Sequence, residues 1–324
     1  MRKIGWLIGV AVVSSVAAFS AAAQSWPARP VHLLVGFGAG GPTDIIARVL
    51  ATGMGASLGQ QVLVENKPGA ASNLAADLVA NAKPDGYTLM LSSIGPLTVN
   101  DVLFSNLPFN PATAFTVITL TAETPSVLGL APEVQAKSLK EFADYAKTKT
   151  DPLHYASPGV GLPPHFAAEM VRTKLGFASV HVPYRSGAQV IEALMKSEVQ
   201  WGFEAPATMT APHKAGKLRA VATSGRQRWM GMEDVPTFAE LGYPDLVILG
   251  WFALIGPAGM PQDIVQRLNA EVAKALATDD AKQRLANLGF GISPRMTPPE
   301  TAAFVATERT RWLAVAKENN IKVE

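Results

Sequence analysis

Three glycines, Gly36, Gly38 and Gly41, stand at the spacing G-x-G-x-x-G. They fall between a β-rich run and a helical pattern, which is where a dinucleotide fingerprint belongs. Glu65 lies 24 positions after Gly41, at the end of the next β-like run, where a ribose-binding acid would sit. Two observations oppose a nicotinamide site. No catalytic acid or hydride-site constellation accompanies the turn, and the N-terminus reads as an export signal, whereas NAD is a cytoplasmic cofactor. The physics of the turn remains. Glycines let backbone N–H groups point into a concave space with no Cβ in the way. The helix that follows opens with unsatisfied N–H groups and a partial positive charge. Such a site suits phosphate or carboxylate. The candidate residues are Phe37, Gly38, Ala39, Gly40, Gly41, Thr43 and Asp44. A bare Asp44 carboxylate would repel an anion, so Asp44 is expected to orient the loop or to bind water.

A second turn, Ser157-Pro158-Gly159-Val160-Gly161, has the same layout in the middle of the chain. His165 follows it in the first turn of the next helix. Two strand–turn–helix units facing each other could hold a dicarboxylate at both ends with few charged side chains. The plainer alternative is that both turns only connect strands to helices. Ser157 with His165 is also the one pair a hydrolase could use as nucleophile and base. Gly55-Ala56-Ser57-Leu58-Gly59 matches G-x-S-x-G, but a nucleophile elbow needs a strand-to-helix turn. Here the match falls at a helix end, with Gly59 as its cap. The five histidines, His32, His154, His165, His181 and His213, show no metal-ligand spacing, so no metal is expected. Glu204, at the end of a β-like run, is the best isolated candidate for a pocket acid; a surface position is the alternative.

Alternating elements must position these residues. Residues 31–37 (VHLLVGF), 61–65 and 87–92 read as strands. From Thr43, the apolar residues Ile45, Ile46, Val49, Leu50, Met54 and Leu58 recur at helical spacing, and residues 72–82 form a second helix. The pattern resumes with strands at 126–131, 153–157, 180–184, 199–203 and 218–223, and helices at 138–147, from Pro163 to Val171, and 188–195. Pro is well tolerated in a first helical turn. The C-terminal part is mostly helical. Ile264, Leu268, Val272 and Leu276 form an i, i+4 stripe, residues 279–288 form a shorter helix, and Thr297 starts the last one with Phe304, Trp312 and Val315 toward the core. Strands alternating with helices imply parallel sheets in an α/β protein.

Met1-Arg2-Lys3, an apolar run over residues 4–19 and the small residues before Gln24 make the three-part pattern of a signal peptide cleaved near Ala23/Gln24. The run is shorter than the roughly 20 residues of a spanning helix. With no Cys for a lipid anchor, the mature protein is expected to be periplasmic and soluble. Cleavage leaves 301 of the 324 residues, enough for two domains. It also removes Arg2 and Lys3, which leaves the 28 basic residues at 26, equal to the 26 acidic ones. No basic stripe with interleaved aromatics is present, so nucleic acid is not an expected partner. No low-complexity linker separates the halves. A chain without one crosses between domains more than once, and crossings are expected near residues 119–125 and 246–251. This divides the chain into residues 1–23 (signal), 24–122 with 249–324 (domain 1), and 123–248 (domain 2).

The residues also carry a resemblance over essentially the whole mature chain. Trp26-Pro27, residues 31–37 leading into Gly40-Gly41-Pro42-Thr43-Asp44 with Arg48, Val64-Glu65-Asn66-Lys67-Pro68-Gly69-Ala70, and Pro84-Asp85-Gly86-Tyr87-Thr88-Leu89 begin the series. Tyr155-Ala156-Ser157 with Gly159, Gly161 and His165, His181-Val182-Pro183-Tyr184, Ala215-Gly216-Lys217-Leu218-Arg219, Val235-Pro236-Thr237 and Gly256-Pro257-Ala258-Gly259 complete it. In this order and spacing the chain resembles the Bug-type extracytoplasmic solute receptors of tripartite tricarboxylate transporters. The resemblance implies a type II periplasmic-binding fold: two α/β domains, with crossover strands as hinge, closing on a ligand in the cleft. It implies no enzymatic activity and no cofactor, a small carboxylate ligand (di-, tri- or aromatic), delivery to membrane permease subunits, and a monomer. It implies that the loops around 37–44 and 157–161 grip the ligand through backbone N–H groups and water. Ser92 and Ser93 match another pocket-lining position, and Tyr184 and Arg185 are further ligand-binding candidates. The chain departs from the family's pattern at Leu162-Pro163-Pro164, at Arg185-Ser186-Gly187, at Glu204 in place of Asp, and at Ala112-Thr113-Ala114-Phe115. Leu162 where a hydroxyl is usual favours a more apolar or aromatic acid. An orphan receptor signalling to a membrane sensor would have the same fold and site.

Overall fold

The computed structural model describes residues 26–319 and residue 321; the expected signal peptide and its cleavage site lie outside them. The chain runs β1 (Val31–Val35), α1 (Pro42–Leu58), β2 (Val62–Asn66), α2 (Asn73–Ala80), β3 (Thr88–Ser92), the short helices α3 (Ile94–Leu97) and α4 (Asn100–Leu103), and β4 (Phe115–Pro125). Then follow β5 (Val127–Leu130), α5 (Leu139–Lys147), β6 (Leu153–Ser157), α6 (Pro163–Leu175), β7 (Ser179–Pro183), α7 (Gly187–Met195), β8 (Trp201–Glu204), α8 (Pro206–Lys214) and β9 (Arg219–Thr223). The chain ends with β10 (Leu249–Pro257), α9 (Gln262–Ala277), α10 (Asp279–Asn287), β11 (Gly291–Ile292) and α11 (Pro298–Glu318).

Two sheets result, in the orders β2-β1-β3-β10-β4-β11 and β7-β6-β8-β5-β9. Both follow one plan. The second strand of each half lies outside the first, the third lies inside it, and an antiparallel strand separates the third from the fourth. In the first sheet that inserted strand is β10, antiparallel to β3 and β4; in the second it is β5, antiparallel to β8 and β9. Each inserted strand is where the chain arrives from the other half. Only Ser126 separates β4 from β5, and β10 begins at Leu249.

The helical stripes are buried as their spacing requires. Ile46, Leu50 and Met54 of α1 and Val265, Leu268 and Val272 of α9 are at most 1% exposed and belong to one core cluster. Burying each such side chain is worth about 1.5–3 kcal/mol. α11 opens with a capping box between Thr297 and Glu300. It then serves both halves. Trp251 in β10 and Trp312 both donate their indole N–H to Glu308, while the Trp312 ring packs edge-on against Phe166 of α6 at 4.8 Å. Asn319 accepts from Arg172 and Thr173 of α6.

Four elements went unread in the sequence. α3 and α4 are too short to show a period. β11 has two residues, and α8 (PATMTAPHK) carries Pro206 where a helix tolerates it and Pro212 near its end. Among the described residues, no helix is long and apolar enough to cross a membrane and no group of three or more His, Asp or Glu could hold a metal.

Candidate functional site

The carboxyl ends of parallel strands are where α/β folds bind ligands. β1, β2 and β3 run parallel, so the loops at residues 36–41, 67–72 and 93 share one edge of the first sheet. β6 runs parallel to β7 and β8, which collects the loops at residues 158–162 and 184–186 on one edge of the second. α4 joins the two edges: a Cβ built on Gly161 would stand 2.7 Å from the Leu103 Cδ1 atom.

The first loop is braced from below. Gly38, Ala39 and Gly40 are exposed, while Thr43 and Asp44 are buried in the first turn of α1. Asp44, 2% exposed, accepts from the Gly40 N–H at 2.9 Å, from Arg48 at 2.8 and 3.0 Å, and from Asn66 at 3.0 Å. The same Asn66 amide donates to the Phe37 carbonyl. Arg48 above all, with the Gly40 amide and Asn66, holds the Asp44 carboxyl down to about 2 against the cost of burial. Asp44 therefore orients the loop, one of the two roles expected of it, and its charge is neutralised in place. The cradle reading needs correction at three amides: the Gly40 N–H is spent on Asp44, the Gly159 N–H on Ser157 Oγ and the Gly161 N–H on His165, so none of these is a free donor. Gly40 serves by its left-handed φ of 79°, with open space where a Cβ would point. Among the described residues, no acceptor is found for the amides of Gly38, Ala39 and Gly41.

The second loop is braced without charge. Ser157 is fully buried and its Oγ lies 2.7 Å from His181 Nε2, within reach of the Gly159 carbonyl as well. His165 Nδ1 accepts the Gly161 N–H at 3.1 Å, which fixes that ring's other nitrogen as its N–H. The rings of His165 and His181 stack with centroids 3.9 Å apart, and His181 stacks on Tyr155 at 4.8 Å. Tyr155 donates to Glu169, which also takes Arg172. Burial pushes His165 down to about 3, helped by His181 and Arg172, and His181 down to about 4, with Glu169 opposing. Both imidazoles are neutral at neutral pH.

The remaining candidates are scattered. Ser92 is fully buried with its Oγ on the Ser93 carbonyl, and Ser93 precedes α3. The Tyr184 backbone N–H bonds the Ser157 carbonyl, but its ring packs on the cluster under α7. Arg185 is exposed. Glu204 is neither a surface residue nor beside Ser157. Because Ala156 pairs with Gly202, Glu204 points to the opposite face of the sheet from Ser157. Its carboxyl lies against Gly187 at the start of α7, with Oε1 on the Ala205 N–H and Oε2 unpartnered. Burial raises it to about 7.

The competing motifs dissolve in the structure. Glu65 is held by His32 and Lys67, and no ribose-binding role is left for it. Ser57 sits in the last turn of α1 and donates to Glu271, with Gly59 as the left-handed cap. The expected Ser157–His165 pair is not formed, because His165 Nδ1 is taken by Gly161 and Ser157 meets His181 instead. Sequence reasoning missed that role of His181, which depends on the Tyr155–His181 strand pairing. The i, i+4 spacing of Asp44 and Arg48 was the one readable signal of the first brace.

Two α/β halves joined by crossover strands, each with a glycine loop at its strand ends, define the architecture of a periplasmic binding protein. The model of the tripartite tricarboxylate transporter family receptor matches residues 46–321, and the chain belongs to that family. It is 31% identical over 326 aligned positions to Protein BugT of Bordetella pertussis (strain Tohama I), covering 100% of this chain and 99% of that protein. Rpa4515 of R. palustris, solved with adipate, is 30% identical with a TM-score of 0.77, covering 92% of this chain and 100% of that one. MatC (Rpa3494) from Rhodopseudomonas palustris, solved with bound malate, is 33% identical with a TM-score of 0.73, covering 90% and 99%. The expected family and fold class are thus borne out.

Proposed function

We propose that this receptor captures a small carboxylate between its two glycine loops and delivers it to the permease subunits of a tripartite transporter. The observation that carries this reading is the state of the first loop. Among the described residues its Gly38, Ala39 and Gly41 amides find no acceptor beside the start of α1, while the Asp44 carboxylate under the loop is already neutralised by Arg48. An anion meets donors there and little repulsion. The solved relatives that hold adipate and malate support a carboxylate as the ligand class. Binding residues are Phe37, Gly38, Ala39, Gly41 and Thr43 on one side and Ser157, Gly159 and Gly161 on the other, with Gly40, Asp44, Ser92, Ser93 and His165 shaping the loops. Leu162 favours acids with an apolar body. Tyr184, Arg185 and Glu204 have weaker support as contacts, by the placements above.

The protein works as a monomer in the periplasm after cleavage near Ala23/Gln24, and carries out no covalent chemistry. Residues 24–122 with 249–324, and 123–248, close as two bodies about the β4–β5 passage and the entry to β10. α11 rides on both, so closure turns about that helix. A thermal-shift screen with adipate, malate, citrate, benzoate and nicotinate tests the reading. A true ligand at 100 times its Kd stabilises by about 2.7 kcal/mol. Failure of every one of these acids to raise the melting temperature would refute carboxylate capture.

A further inference from the structure

A cavity of about 630 Å³ lies in the first half, away from both glycine loops, walled by β4, β11, α9 and α10. Its wall is largely apolar, with Leu120, Val272, Leu276, Phe290 and Ile292. Two cationic side chains break that wall. Arg295 is exposed and has no ion-pair partner among the described residues. Lys282 is paired only with Asp279 at 3.2 Å, and Asp279 is fully exposed, so solvent competes with the pair. Ser293 is 6% exposed; its Oγ is fully buried behind the wall, with no hydrogen-bond partner among the described residues, and does not open into the cavity. Asn269, also in the wall, is not available, because its amide donates to the Ile118 and Met296 carbonyls.

We propose that this cavity is a second small-molecule site, specific for an amphiphilic monocarboxylate with an unbranched or aryl-alkyl apolar body. The apolar wall takes the body. Arg295 and Lys282 take the carboxylate at the rim, Arg295 with the fork geometry that suits a carboxylate. The volume is in the range of ligand pockets, mostly apolar with a few placed polar groups. A dicarboxylate fits it badly, since one charged end would have to enter the apolar interior. The cavity therefore selects acids charged at one end only. This inference does not rest on the cleft reading.

Octanoate is the probe, with 1-octanol and acetate as controls that lack the charge or the body. Methyl NMR of the isotope-labelled protein follows Leu120, Val272, Leu276 and Ile292 during titration, alongside calorimetry. Octanoate is expected to shift these methyls saturably, with 1-octanol at least tenfold weaker and acetate silent. The double variant Lys282→Gln, Arg295→Gln is expected to weaken octanoate about tenfold, and Ala273→Trp, which fills the cavity, to abolish the shifts. Neither should change the effect of a cleft ligand on melting temperature. Octanoate shifts confined to the glycine loops, equal binding of 1-octanol, or an affinity untouched by both variants would each overturn the site.

Discussion

The two glycine loops solve one problem in opposite ways. In the proposed reading each must hold its loop backbone still beside an anion. The first does it with charge: Asp44, ionised and buried, pins Gly40 and Asn66 and is neutralised by Arg48. The second does it with neutral rings: His165 pins Gly161, His181 pins Ser157, and the imidazoles stack on each other and on Tyr155. The difference teaches that a carboxylate near an anion site is tolerable when an arginine shares it, and that burial alone can keep histidine uncharged. It also gives the halves different weak points.

Acid should separate them, and this is the largest effect expected. An unfolded histidine titrates near 6.5, whereas His165 and His181 are held down to about 3 and about 4 by burial. Between those values the unfolded state binds more protons. The stability these rings contribute is therefore complete above pH 6.5 and lost as pH falls toward 4 and 3. At its steepest the loss is roughly 3 kcal/mol per pH unit for the two together. Asp44, held down to about 2, keeps its contribution until pH drops below its ordinary 3.8 and loses it through 2. Urea unfolding of the full protein from pH 7.5 to 4.5 measures the slope. His165→Gln and His181→Gln should each flatten it by about 1.4 kcal/mol per pH unit. A slope unchanged in both variants would mean the imidazoles are not buried neutral.

Removing the charged brace comes next. Asp44→Ala leaves the Gly40 N–H, the Asn66 amide and Arg48 without their acceptor, and should lower stability by about 2–3 kcal/mol. Arg48→Ala should lower it less, because Arg48 is 55% exposed and water replaces it. For a bound anion the order reverses in one respect. Without Arg48 the Asp44 charge is no longer neutralised, so the affinity lost in Arg48→Ala should recover as salt is raised. Chemical denaturation and calorimetry at two salt concentrations check both statements. Equal stability losses in the two variants would undo the claim that the buried partner carries the brace.

Much of this comparison was legible in the chain, and its limits have physical causes. Both loops showed as glycine turns between a period-2 run and a period-3.6 run, and both crossovers showed through the missing linker. Asp44 and Arg48 share a helix face, so their pairing followed from spacing. The second brace did not follow. Ser157 and His181 meet only through the parallel register of β6 with β7, which no local pattern encodes. The placement of Glu204 was out of reach for the same reason, since one position along β8 decides which face it points to. Leu103 lies in a four-residue helix and approaches the second loop from the other half of the chain.

That approach yields the smallest and sharpest test of the comparison. Gly40 and Gly161 have nearly the same left-handed backbone, with φ of 79° and 76°. Alanine at either site meets the left-handed penalty of about 1–2 kcal/mol. Their surroundings differ: a Cβ at Gly40 meets nothing within 4 Å, and one at Gly161 meets Leu103 Cδ1 at 2.7 Å. Gly161→Ala should therefore be the more destabilising by an overlap term of about 0.5–1.5 kcal/mol, the scale of a side chain forced off its rotamer. Combining Gly161→Ala with Leu103→Ala should recover that term as a coupling energy, while Gly40→Ala with Leu103→Ala should be additive. The term also reports closure, because Leu103 and Gly161 belong to opposite halves. A ligand that closes the cleft should enlarge the coupling; if the coupling is zero with and without ligand, the two loops do not brace one another across the cleft.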